Sequence, residues 1–164
     1  MKSILLSFDI EEFDLPTEFG AEISHDDMFS IAGEGTRRIL RTVNEAGART
    51  TFFVTAAFAL EFPDLVREMK ASGHEIASHG YSHTTFEPAD LKRSREALEK
   101  IAGAPVRGFR MARLAKVGKL GFAAPFSELQ SFVSSPHCMV SLFAIVMGAV
   151  YSIPLLVGSE PSVV

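Results

Sequence analysis

The chain has 164 residues, with 16 Lys and Arg against 20 Asp and Glu and a formal net charge of −4. That length is enough for one domain with its own core, and the absence of any basic run removes the usual footprint for nucleic acid. A single cysteine, Cys138, excludes a disulfide scaffold and a cysteine-rich zinc site, and points to a reducing compartment.

Lys2 to Phe8 is a short apolar run that ends in acids, and Ile4 to Phe8 reads as a first buried strand. The run is too short for the apolar core of a secretory signal, which needs about 7–15 residues, so a cytoplasmic location is expected. Residues 10–30 are acidic and contain Pro16 and Gly20, and are expected to form a loop. Glu34 to Ala46 places Ile39, Leu40 and Val43 on one helical face, with Gly47 as the stop. Thr50 to Thr55 is β-branched and aromatic and predicts a second strand.

Pro63 opens the next helix, where its missing N–H costs nothing; Leu65, Val66 and Met69 form the apolar face and Gly73 ends it. His74 to Ser78 predicts a third strand. Pro88 starts another helix, with Leu91, Leu98 and Ile101 inward, Lys92, Arg93, Arg95, Glu96 and Glu99 outward, and Gly103 closing it. Val106 to Arg110 predicts a fourth strand. Strand and helix thus alternate to about residue 110, the order that builds parallel strands with helices packed outside. In such folds the chemistry collects at the C-terminal ends of the strands, where Asp9 and Glu11, His79 and Arg110 all fall.

The remainder of the chain is different. Every Lys and Arg lies at or before Lys119, and Leu129 to Ser159 contains no Asp, Glu, Lys or Arg. Residues 140–157 are mostly apolar and reach the lower limit for a membrane-spanning helix, although Gly148 and Pro154 interrupt them and no basic residue follows. The expected division is therefore 1–116 as the enzyme-like portion and 117–164 as an atypical, uncharged apolar tail, either frameshifted or membrane-associated.

Within the first portion, Asp9-Ile10-Glu11-Glu12 carries the acids. Alternate residues of an extended chain face the same way, so Asp9 and Glu11 share one side while Ile10 and Glu12 take the other. Two neighbouring carboxylates repel unless a cation or a proton lies between them. His79 and His83, four residues apart across Gly80, can turn their rings one way from a tight loop. A divalent metal held by Glu11, His79 and His83 satisfies both patterns and leaves Asp9 as a base beside it. Each part also has a plain reading, as a solvated strand end and a surface histidine pair. His74 reads as a packed histidine, and His25 either lines the cleft or is solvated. Arg110 can pair with Asp9 and favour its carboxylate form, or it belongs with Arg107 and Arg113 to a solvated basic edge.

Ser7-Phe8-Asp9-Ile10-Glu11, His79-Gly80-Tyr81-Ser82-His83 and Arg107-Gly108-Phe109-Arg110 resemble, in order and spacing, the first three motifs of the NodB-type polysaccharide deacetylases. The resemblance covers about residues 3–115. It implies an α/β fold, here a partial distorted (β/α) barrel with an atypical C-terminal part. It further implies a divalent metal, usually zinc, and hydrolysis of N-acetyl groups on a polysaccharide or peptidoglycan sugar. By resemblance Asp9 is the catalytic base, Arg110 orients it, and His79 and His83 are ligands. Ile10 stands where the commonest motif has a second aspartate, so Asp9-x-Glu11 looks like a variant of an Asp-x-Asp branch, with Glu11 as third ligand.

That branch also includes enzymes similar to allantoinases, so a cyclic-amide hydrolase is a rival reading. The late Leu-x-His motif that protonates the leaving amine has no counterpart, since His137 stands in Ser135-Pro136-His137-Cys138. The fourth motif is also missing: no Asp follows Asp90 and the chain has no Trp. Ala112 stands near the place of the proline that often follows the third-motif arginine. An inactive, truncated metal-binding remnant is accordingly a third reading. A half barrel has an open edge and exposed apolar faces, which dimerisation would cover.

Overall fold

Three short parallel strands set the frame: β1 (Ser7–Ile10), β2 (Thr51–Val54) and β3 (Glu75–Ser78), in the order β1-β2-β3. The computed structural model describes residues 5–112. The tail 117–164, its apolar stretch 140–157 and His137 lie outside them. Among the described residues no helix is long and apolar enough to cross a membrane.

Register fixes what meets at the strand ends. Ile10 pairs with Val54, Val54 with Ser78, and Ser78 bridges to Phe109. The next residue of each segment continues the ladder: Thr55 N–H donates to the Ile10 carbonyl at 2.9 Å, His79 N–H to Val54 at 2.9 Å and Arg110 N–H to Ser78 at 2.9 Å. Glu11, Thr55, His79 and Arg110 therefore form the first row beyond the sheet. The expected fourth strand is reduced to that single bridge, and Val106 N–H, at its start, donates to the Glu99 carboxylate at 3.0 Å. The same bond, with Arg95 behind it, holds the Glu99 carboxyl below its usual range. Glu99 thus stands on the outer side of the helix, as predicted, but half-buried against the chain at Val106.

The predicted loop over residues 10–30 holds only for 11–14 and 19–24. A short helix α1 (Leu15–Glu18) opens with Pro16, and a long helix α2 (His25–Glu45) begins well before Glu34. Ser24 caps α2: its Oγ accepts from Asp27 N–H at 3.0 Å, and Asp26 and Asp27 sit in the first turn, where the helix dipole favours acids. Gly33 lies mid-helix because a Cβ there would come 2.7 Å from the Phe62 ring. Between β2 and the helix expected at Pro63 lies a further short helix, α3 (Ala56–Glu61), with Thr55 as its N-cap. Helices α4 (Pro63–Ala71) and α5 (Pro88–Ala102) start at their prolines as predicted.

The core joins sheet and helices through Ile10, Leu40, Val43, Phe52, Val54, Phe58, Val66, Met69 and Leu98. Phe52 and Phe58 are fully buried, and each such side chain contributes about 1.5–3 kcal/mol by leaving water. Leu98 is fully buried as predicted, Ile101 packs half-buried against the core and Leu91 is half-buried; α5 also turns Ser94 inward, whose Oγ meets Ser78 Oγ at 2.9 Å. His74 is a packed histidine, as expected: it is buried, its Nε2 lies 2.9 Å from Asn44 Oδ1, and it meets Phe52 edge to face. Burial, with Arg49 nearby, lowers its pKa.

Candidate metal centre

Glu11, His79 and His83 come together at the C-terminal rim of the sheet. One donor atom from each lies within 4.8 Å of the other two. Glu11 Oε2 is 3.0 Å from His79 Nε2 and 3.3 Å from His83 Nε2. The two rings lie nearly parallel, 21° apart, with centroids separated by 6.1 Å.

Local structure explains how two residues four apart reach one point. His79 ends the β3 ladder and is buried. Gly80 follows with φ of +97°, a left-handed conformation that glycine adopts without penalty. The chain then turns under α3, whose first N–H groups have no partner within the helix. Ala56 N–H donates to the Gly80 carbonyl at 3.0 Å and Ala57 N–H to that of Tyr81 at 2.8 Å. The loop is pinned at both residues before it delivers His83.

Each ring is also held on its far side. His79 Nδ1 donates to the Arg110 carbonyl at 2.9 Å, and His83 Nδ1 donates to Asp14 Oδ1 at 2.8 Å. A neutral ring that donates through Nδ1 presents a lone pair on Nε2, and both Nε2 atoms here face Glu11. Glu11 Oε2 is buried and makes no hydrogen bond. Three acceptors therefore converge on one small space, which is electrostatically unfavourable unless a cation or a proton lies between them. The residues present fit a divalent metal: two imidazoles and a carboxylate, with positions left for water or substrate.

Asp9 lies on β1, two residues before Glu11. The Arg110 guanidinium donates to Asp9 Oδ1 through one Nη and to Ser7 Oγ at 2.9 Å through the other, while stacking 3.9 Å above the centre of the Phe53 ring. Arg110 is thus a buried partner of Asp9 and not part of a solvated basic edge. His25 takes the solvated alternative: its side chain is 70% exposed, its ring tilted by 41° against Phe29 at the start of α2.

Two further acids belong to the same cluster and were not recognised as site residues from sequence. Glu12 is buried; its Oε2 accepts from Thr55 Oγ1 at 2.6 Å and its Oε1 from His83 N–H at 3.1 Å. Asp14, also buried, holds the His83 ring. Strand alternation had already put Glu12 on the core side with Ile10, and a carboxylate there must find donors. Asp14 has no such signal beyond its place ahead of Pro16.

Comparison with known proteins follows the same lines. The sequence profile described as polysaccharide deacetylase matches residues 2–117. A peptidoglycan-N-acetylglucosamine deacetylase of Bacillus cereus is 39% identical over 51 residues, which is 31% of this chain and 19% of that protein. A chitooligosaccharide deacetylase of Sinorhizobium fredii is 42% identical over 48 residues, 29% of this chain and 22% of that one. Among solved structures, a Mycobacterium smegmatis protein assigned as a polysaccharide deacetylase superposes with a TM-score of 0.56 at 27% identity, covering 70% of this chain and 44% of its own. The chain spans less than half the length of these relatives. The fold is the NodB-type α/β fold built on a parallel sheet.

Proposed function

The chain belongs to the polysaccharide deacetylase family, and from that premise we propose that it is a metal-dependent hydrolase of non-peptide carbon–nitrogen bonds that removes N-acetyl groups from a polysaccharide or peptidoglycan sugar. Residues 1–116 carry the activity, and zinc or another divalent cation is the cofactor, held by Glu11, His79 and His83. The observation that carries the reading is the orphaned Glu11 Oε2 facing two imidazole Nε2 atoms whose Nδ1 sides are already engaged. The names of the relatives, which act on chitooligosaccharide and on peptidoglycan N-acetylglucosamine, support an N-acetylated carbohydrate as substrate.

A divalent cation held there supplies Lewis-acid polarisation of the acetyl carbonyl, stabilises the developing oxyanion and acidifies a water. Asp9 is the general base: it takes the proton of the water that attacks the acetyl carbon. Arg110 acts on Asp9. Its planar fork spans Asp9 and Ser7, and its stacking on Phe53 removes its freedom to swing, so the carboxylate is held in one orientation with its charge balanced. Cleavage of the C–N bond leaves an amine that needs a proton, and the chain has no counterpart of the late Leu-x-His motif that supplies it in the family.

The test is acetate release from N-acetylated chitooligosaccharide by the zinc-loaded chain, beside its Asp9→Asn variant. Turnover is expected, with the variant slower by about 10²–10⁴-fold, the usual worth of a positioned base. A zinc-loaded chain that releases no acetate overturns the proposal, and turnover of allantoin in its place transfers the site to cyclic-amide hydrolysis.

A further inference from the structure

The loop that delivers His83 raises a question that His79 does not. His79 is fixed by the sheet: its N–H continues the ladder and its ring donates to the Arg110 carbonyl. His83 lies four residues further, beyond the turn at Gly80, and a ligand carried on a loop must be held by something else. We infer that Asp14 and Glu12, neither of them a ligand, are positioning residues that lock His83 as a metal ligand, Asp14 through the ring and Glu12 through the backbone. This inference rests on the metal site proposed above.

The two carboxylates act on different atoms of one histidine. Asp14 Oδ1 accepts from Nδ1 at 2.8 Å, which selects the tautomer with a lone pair on Nε2 and aims that atom at Glu11. A carboxylate behind a ligating imidazole also strengthens the ring as a donor. Glu12 Oε1 accepts the His83 backbone N–H at 3.1 Å, which fixes where the ring is rooted.

Both acids are themselves held. Asp14 N–H donates to the Glu12 carbonyl at 2.9 Å, and the Asp14 carbonyl accepts from Thr17 N–H at 2.9 Å and Thr17 Oγ1 at 2.7 Å. Glu12 Oε2 takes the Thr55 hydroxyl at 2.6 Å, and that hydroxyl accepts from Phe58 N–H at 3.2 Å. A continuous set of hydrogen bonds thus runs from the start of α3 through Thr55 and Glu12 to His83. Since Glu11 lies in the same segment as Glu12 and Asp14, six consecutive residues, 9–14, provide the base, one ligand and both supports of another.

Two measurements test this on the full chain. Long-range ¹H–¹⁵N NMR of the metal-free wild type should find His83 protonated at Nδ1; protonation at Nε2 overturns the inference without recourse to any variant. Zinc affinity, titrated with zinc chloride into the metal-stripped chain, should fall about 10–100-fold in Asp14→Ala, the usual cost of removing such a support. Asp14→Asn, whose amide oxygen can still accept from Nδ1, should recover part of that loss, and Glu12→Gln should weaken binding by about tenfold. A wild-type chain that takes up no zinc overturns the metal site itself. A wild type that binds zinc while Asp14→Ala binds equally well overturns the inference and leaves the metal site standing.

Discussion

Thr55→Val should destabilise the protein by about 2.5–4 kcal/mol, although it exchanges one side chain for another of nearly the same shape. Thr55 is fully buried at the end of β2. Its hydroxyl donates to the Glu12 carboxylate at 2.6 Å and accepts from Phe58 N–H at 3.2 Å as the N-cap of α3. A hydrogen bond to a charged group is worth about 1.5–3 kcal/mol, and losing it leaves a buried carboxylate short of a donor. Loss of the cap adds about 1 kcal/mol. Valine opens no cavity and suits the extended backbone at this position, so these two losses account for the whole effect. Thr55→Ser keeps both hydrogen bonds and loses one methyl, at about 1 kcal/mol. Urea unfolding of the metal-free chain reads both variants. A valine variant within about 1 kcal/mol of wild type, or a serine variant that costs more than valine, would refute the reasoning.

His74→Gln should flatten the pH dependence of stability. Burial lowers the His74 pKa below its ordinary 6.5, so folding favours the neutral ring. The stability this group contributes is full above about pH 6.5 and is lost as the pH falls toward the folded-state value, because the unfolded chain takes up the proton first. Denaturant midpoints near pH 7.5 and near pH 5.5 should therefore differ less in His74→Gln than in wild type; an equal difference would contradict the assignment. Gly108→Ala should cost about 1–3 kcal/mol, since its Cβ would stand 2.8 Å from Ala77 Cβ where the last segment crosses β3. A thermal midpoint unchanged in that variant would mean that the segment yields there.

Much of this site was legible in the sequence because its chemistry follows strand ends. Alternation of apolar runs with proline-opened, glycine-closed helices established the parallel order, and Asp9, Glu11 and His79 then fell at one rim. The bend at Gly80 was also legible, since a histidine pair flanking a glycine has few ways to converge. The first half of α2 was hidden because residues 10–30 read as an acidic loop, and Gly33, just beyond, owes its place to the Phe62 ring packed against it from between α3 and α4. The short α3 was hidden because only its tertiary contacts hold six residues as a helix. Glu12 and Asp14 were hidden for a related reason. Their partners at His83 lie 71 and 69 residues away, and beyond the place of Glu12 on the Ile10 side of the strand nothing local distinguishes a buried, satisfied carboxylate from a solvated one. The Asp9–Arg110 pair, 101 residues apart, was already open from the strand ends, beside a solvated basic edge, and the motif resemblance added the orienting role of Arg110.

The central claim is that Glu11, His79 and His83 hold one divalent metal. Metal content by mass spectrometry, after dialysis of the purified chain against trace zinc, tests it most directly, with His79→Ala/His83→Ala alongside. The account predicts about one zinc per wild-type chain and essentially none in the double variant. Equal content in the two proteins, or none in a folded wild type, would contradict it.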